Sequence, residues 1–189
     1  MRSLIITQNM TLDGSVEMLG DWFDPQLQDD DLIAEMRRQD LTADALLLGR
    51  QTFEDFRSYW PHQVDDPTGI AEYVNTVAKY VVSCTLIDPG WENSTILSGE
   101  PVQRIRKLKA TPGGDIVATG SITLCQSLIG AGLVDEYRLF VYPIVQGAGR
   151  RLFPDGTTIS GLRPAAVPMT FPSGVTLVSW TAPSSLNAT

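Results

Sequence analysis

Two short stretches combine residue types suited to holding a phosphate. In Leu48-Gly49-Arg50-Gln51-Thr52 an apolar run, Ala45 to Leu48, meets a glycine and passes into a segment of helical spacing, Thr52 to Tyr59. Glycine lets a ligand approach the backbone closely. A helix start offers free N–H groups and a partial positive charge. Arg50 adds a planar guanidinium matched to phosphate oxygens, and Thr52 a hydroxyl donor. The alternative is equally simple: Gly49 ends a strand, Thr52 is an ordinary N-cap and Arg50 is solvated. Ala118-Thr119-Gly120-Ser121-Ile122 repeats the same physics with Ser121 near a helix start. Two such junctions in one sheet can face one crevice at the strands' carboxyl ends. Neither is a G-x-G-x-x-G fingerprint, and no G-x-x-x-x-G-K-[ST] is present, so the common dinucleotide and triphosphate motifs are missing.

The elements around these junctions follow from periodicity. Leu4 to Thr7 reads as a buried strand, with a turn at Asp13-Gly14. Asp29 to Gln39 reads as a helix, acidic in its first turn and carrying Arg37 and Arg38 in its last. Ala45 to Leu48 is a second strand, and Thr52 to Tyr59 a helix stopped by Pro61. Ile70 to Val77 is a helix; Tyr80 to Ser83 and Thr95 to Leu97 are strands. Val102, Ile105 and Leu108 mark a helix ended by Pro112-Gly113-Gly114. Ile116 to Ala118 is a strand and Ser121 to Gly130 a helix. This alternation predicts a mainly parallel sheet. Glu136 to Val141 and Val175 to Trp180 have no strong helix between them, so they should pair antiparallel. Val167 to Phe171 is a weaker strand because of Pro168; 146–151 and 156–164 read as loops. The expected fold is α/β, a mixed, mostly parallel sheet with helices on both faces and an antiparallel C-terminal part. One domain over 1–181 is expected, followed by a polar tail, 182–189.

Bulk properties narrow the function. A net charge of −8 over 189 residues repels phosphate backbones, so no nucleic-acid partner is expected. No apolar run approaches a membrane span and no leader is evident, so a cytoplasmic protein without membrane partners is expected. Two distant cysteines and one histidine make a disulfide scaffold or metal site improbable. His62 reads as a surface residue, Cys125 as a structural thiol on an apolar helix face, and Cys84 as no nucleophile.

The sequence resembles the dihydrofolate-reductase-like superfamily, in the branch holding the reductase domain of riboflavin biosynthesis and its single-domain relatives. The resemblance rests on Thr11-Leu12-Asp13-Gly14, the run from Ala43 through Gly49-Arg50-Gln51-Thr52 to Glu54, and Tyr59-Trp60-Pro61. It continues through Lys79 to Leu86, Asp115 to Ser121, Gly132 to Glu136, and Pro143, Gly147, Gly149 and Arg151-Leu152-Phe153. It implies a dihydrofolate-reductase-like three-layer fold with NADPH across the strand ends. Gly49, Arg50 and Thr52 would hold the adenosine-side phosphates, Arg50 facing the 2′-phosphate. Ser83 and Thr85 would lie beside the adenosine, and Thr119, Gly120, Ser121 and Ile122 would cradle the pyrophosphate. Relatives often carry a basic residue where Cys84 stands here, a departure that weakens that contact or shifts the NADPH preference.

On the substrate side, hydride transfer to a C=N bond needs a proton donor. Asp13 is the first choice and Asp30 the second, although Asp13 also suits a turn and Asp29 to Asp31 suit a helix dipole. Trp22 and Trp60 could wall a flat heterocycle, with core packing the expected job of at least one. The reading is an NADPH-dependent oxidoreductase acting on a pterin-like or pyrimidine-like small molecule. The alternatives are the riboflavin-pathway reductase of a ribosylamino-pyrimidine phosphate, and a non-catalytic nucleotide-binding protein of the same fold. The former wants a basic group near the loop after Asp13-Gly14, where the sequence offers none. The resemblance also implies a homodimer through the C-terminal strands, compatible with the apolar stretch Tyr137 to Val145.

Overall fold

The computed structural model describes residues 1–24 and 29–183. In chain order the elements are β1 (Leu4–Thr11), α1 (Asp30–Asp40), β2 (Ala43–Gly49), α2 (Arg50–Tyr59), a 3-10 turn (Trp60–His62), α3 (Ile70–Thr76), β3 (Ala78–Val82) and β4 (Ser94–Leu97). Then come α4 (Pro101–Lys109), β5 (Asp115–Thr119), α5 (Ile122–Gly130), β6 (Glu136–Tyr142), β7 (Arg163–Pro164), β8 (Met169–Thr170) and β9 (Thr176–Thr181). The strands form one sheet in the order β4-β3-β2-β5-β1-β6-β9-β7, with β8 also on β9. The first six run parallel; β9 pairs antiparallel with β6. The architecture is the expected mixed α/β fold.

Burial explains the layers. In β2, Leu46, Leu47 and Leu48 are almost wholly buried, as both faces of a central parallel strand are covered. One face carries Leu4, Ile6, Ala45 and Leu47 against Ile105 and Leu108 of α4 and Cys125 and Leu128 of α5. The opposite face holds two separate apolar clusters. Leu46, Leu48 and Val81 pack with Phe53 of α2 and Val74 of α3, while Phe140 and Leu177 pack with Leu32 of α1. Local sequence sets the helix ends. Asp29 caps α1 by accepting from Leu32 N at 3.1 Å and from Ser173 N at 2.8 Å. Buried Lys79 closes α3, its Nζ donating to the carbonyls of Val74, Asn75 and Val77.

Three expectations need correcting. β1 runs on to Thr11 through Gln8 and Asn9, because β6 pairs with it that far. Helix α2 starts at Arg50, with Gly49 as its N-cap, so Thr52 is its third residue and not the cap. The expected loop 156–164 ends in the short strand β7. Tyr137 to Tyr142 is an interior strand, paired on one side with β1 and on the other with β9. The expected tail lies outside the described residues from 184 on.

Candidate active site

Strand order creates the site. The chain leaves β2 through α2 toward β3, and leaves the adjacent β5 through α5 toward β6 on the far side of β1. Neighbouring parallel strands whose connections diverge open a crevice at their carboxyl ends. A cavity of about 610 Å³ lies there, walled by Gln8 and Asn9 of β1, the 49–52 junction, Thr119 to Leu124, and Phe56 and Trp60.

The two junctions are locked together. Gly49 N donates to Ser121 Oγ, and Ser121 N donates to Thr52 Oγ1, each at 2.9 Å. Both hydroxyls thus accept from the partner junction, and neither O–H has an acceptor among the described residues, so both remain available as donors. Gly120 has φ +56°, and a Cβ there would stand 2.8 Å from Thr52 Cγ2, so only glycine fits the approach. Ser121, at φ 43°, is also left-handed and caps α5. Behind them, buried Gln8 donates to the Gly120 carbonyl and touches Cys125 Sγ at 3.5 Å. Burial pushes that thiol up to about 11, which keeps it protonated and inert.

Charge favours an anion here. Neither α2 nor α5 has an acid in its first turn, unlike α1 with Asp30 and Asp31. Arg50 lines the cavity with its side chain 47% exposed and bonds Glu54 one turn on at 2.9 Å. Such an exposed pair contributes little and yields readily to a stronger anion. Ile122 lines the cavity with Gly120 and Ser121. Ser83 and Thr85 do not; they follow β3, next to β2, where Ser83 Oγ accepts from Thr85 N and Leu86 N.

The acids chosen from sequence lie elsewhere. Asp13 accepts from Thr11 Oγ1 at 2.6 Å, Gly147 N at 2.8 Å and Gln146 N at 3.1 Å, and these bonds hold its carboxyl down at about 2. It is a clasp between two loops and has no proton to give near neutrality. Asp30 is exposed in the first turn of α1 and does not line the cavity. Trp60 walls the cavity; Trp22 packs edge-on against Tyr142 at 5.2 Å behind it, leaving Phe23 on the wall. Gln8, Asn9 and Arg150 are among the lining residues that escaped the sequence reading. Gln8 and Asn9 are polar positions continuing an apolar strand, which is a signal in itself. Arg150, bonded to Glu17 at 2.8 Å, puts a basic group beside the loop after Asp13. Only folding brings it there.

The comparisons agree with this geometry. The chain is 33% identical over 162 residues to YyaP of Bacillus subtilis (strain 168), an uncharacterised protein, covering 82% of this chain and 81% of that one. Its fold matches a putative riboflavin biosynthesis protein from Shewanella sp. PV-4 at TM-score 0.70 and 22% identity, over 96% of this chain and 99% of that one. A pyrimidine reductase-like protein from Corynebacterium diphtheriae matches at TM-score 0.63 and 15% identity, over 96% and 92%. Dihydrofolate reductase from Enterococcus faecalis, complexed with NADP(H), matches at TM-score 0.58 and 16% identity, over 95% and 96%. The fold is therefore dihydrofolate-reductase-like. Residues 2–171 match the RibD C-terminal domain, and the chain belongs to that family.

Proposed function

We propose that this protein is an NADPH-dependent reductase of a flat nitrogen heterocycle. The reading is carried by the interlocked junctions, where two acid-free helix starts and two available hydroxyl donors face one cavity. Family membership supports reductase chemistry in general, and the residues at the junctions support a phosphate-bearing cofactor. Gly120 lets Thr52 pack against it, which brings the two helix starts side by side where one pyrophosphate can reach both. Thr52, Gly120, Ser121 and Ile122 would hold the pyrophosphate, and Arg50, released from Glu54, the 2′-phosphate. Bound there, NADPH would supply the hydride. Trp60, Phe56 and Phe23 would orient the flat acceptor and exclude water from it. Arg150 gives the riboflavin-pathway alternative the basic group that the sequence did not offer.

Titration with NADPH and NADH, followed by tryptophan fluorescence, tests the cofactor. NADPH should bind more tightly, and Arg50→Ala should narrow that preference by about tenfold, the size of one charge-assisted contact. Equal loss of both nucleotides would remove Arg50 from the 2′-phosphate. Turnover of a ribosylamino-pyrimidine phosphate in preference to dihydrofolate would select the riboflavin-type reading.

A further inference from the structure

A second chamber of about 170 Å³ lies beneath the main cavity, between the sheet and helices α1 and α3. The two share Asn9, Met36, Phe56, Trp60, Thr119 and Phe140 as walls, so they adjoin. At about 30 Å³ per water, the chamber has room for one six-membered ring. It fills the gap between the two apolar clusters on this face of the sheet. Strand alternation would put core residues there. Instead Thr7, Asn9 and Thr119 line it from the sheet, with Asp40 from the end of α1 and Tyr73 from α3. None of these five side chains hydrogen-bonds to a described residue, and the Tyr73 hydroxyl is wholly buried. A buried hydroxyl without a partner is costly, and the Tyr73 hydroxyl opens on a chamber where a ligand can supply one, beside a carboxylate that is itself unpaired among the described residues.

We propose that this chamber is a substrate subsite in which Asp40, with the Tyr73 hydroxyl beside it, receives the N–H-bearing edge of a flat ring. The proposal rests on the reading of the main cavity as a reductase site. The walls suit the class: Phe56, Trp60 and Phe140 line the chamber with aromatic surface, and a carboxylate matches a planar pair of N–H donors. Burial raises the Asp40 carboxyl to about 6, so its charge changes near neutrality. Three groups face it from the neighbouring elements and from α1 itself. Arg138 of β6 is paired with Glu136 at 2.7 Å and Asp115 at 3.9 Å. Burial and the Asp40 charge push the Tyr73 hydroxyl upward, so it stays neutral. On α1 itself, Glu35 is held low by Arg38 and stays anionic.

Benzamidine, a flat ring with a permanently cationic amidine, is the probe, and benzamide is its neutral control. Both are titrated calorimetrically into the whole protein, with and without NADPH. Benzamidine should bind, and its affinity should rise from about pH 5 to about pH 8 as Asp40 loses its proton. Benzamide binding should not follow that curve. Asp40→Asn should weaken benzamidine by about tenfold or more at the alkaline end and abolish the pH dependence, with NADPH affinity unchanged. Tyr73→Phe removes a hydroxyl that has no partner among the described residues, so it should fold normally and still bind benzamidine more weakly. Absence of benzamidine binding, or an unchanged pH curve in Asp40→Asn, overturns the subsite. NADPH failing to bind while benzamidine behaves as described would fell the cofactor reading and leave the subsite standing; the reverse would fell the subsite alone.

Discussion

Asp13 joins two loops through one carboxylate. Its three donors come from Thr11 and from the backbone of Gln146 and Gly147, across the sheet's carboxyl edge. Its folded-state pKa, about 2, lies below the ordinary 3.8. For such a depressed acid, the stability it contributes is complete above about pH 4 and vanishes as pH falls through about 2. Asp13→Asn should therefore lower the melting temperature at neutral pH, and the gap from wild type should close as the pH approaches 2. A constant gap across that range would mean that the clasp does not depend on the ionised form. At this scale the sequence was half legible. A turn-forming aspartate before glycine is visible in a string of letters, whereas Asp29 read as a first-turn acid and proves to be the cap. That Asp40 lines a chamber is not visible, because the helix end carrying it looks like any solvated terminus until α3 and the sheet enclose it.

At the scale of elements, the site consists of two strand-to-helix junctions that fit only if Gly120 lacks a side chain. Gly120→Ala places a methyl 2.8 Å from Thr52 Cγ2 and forces φ +56° on an alanine. The backbone part alone costs about 1–2 kcal/mol, and the clash adds to it. Thr52→Ser removes Cγ2 but keeps the oxygen that accepts from Ser121 N. The double substitution should thus be more stable than Gly120→Ala alone, as read by urea denaturation, with the residual loss reporting the backbone strain. Strict additivity would show that the contact is slack. Both junctions were recognisable from a glycine between an apolar run and a helical one. Their boundaries were misplaced for a physical reason: β1 continues through Gln8 and Asn9, whose polarity serves the cavity, and α2 begins two residues early because Gly49 itself caps it. Where function needs polar residues inside an element, periodicity reads the element as ended.

At the scale of the whole molecule, alternation of strands and helices foretold a parallel sheet, but no local pattern announces that β5 inserts between β1 and β2. That insertion brings residues some 70 positions apart, Gly49 and Ser121, into one hydrogen bond, and it makes the proposed phosphate site a property of the assembled sheet. The unfolded chain separates the junctions, so NADPH should bind only the native state and raise its stability. At a concentration about a hundred times Kd the gain is about 2.7 kcal/mol. For a chain of this length that shifts the melting temperature by about 5–10 °C. Because β1, β2 and β5 belong to one sheet, the shifted melt should remain a single transition. Two transitions with NADPH moving only one would place the nucleotide on a separable part of the chain. Gly120→Ala should lose most of the shift even after its own lower baseline is subtracted, since it disturbs both helix starts at once. A variant that keeps the full shift would mean that the nucleotide does not lie across the two junctions.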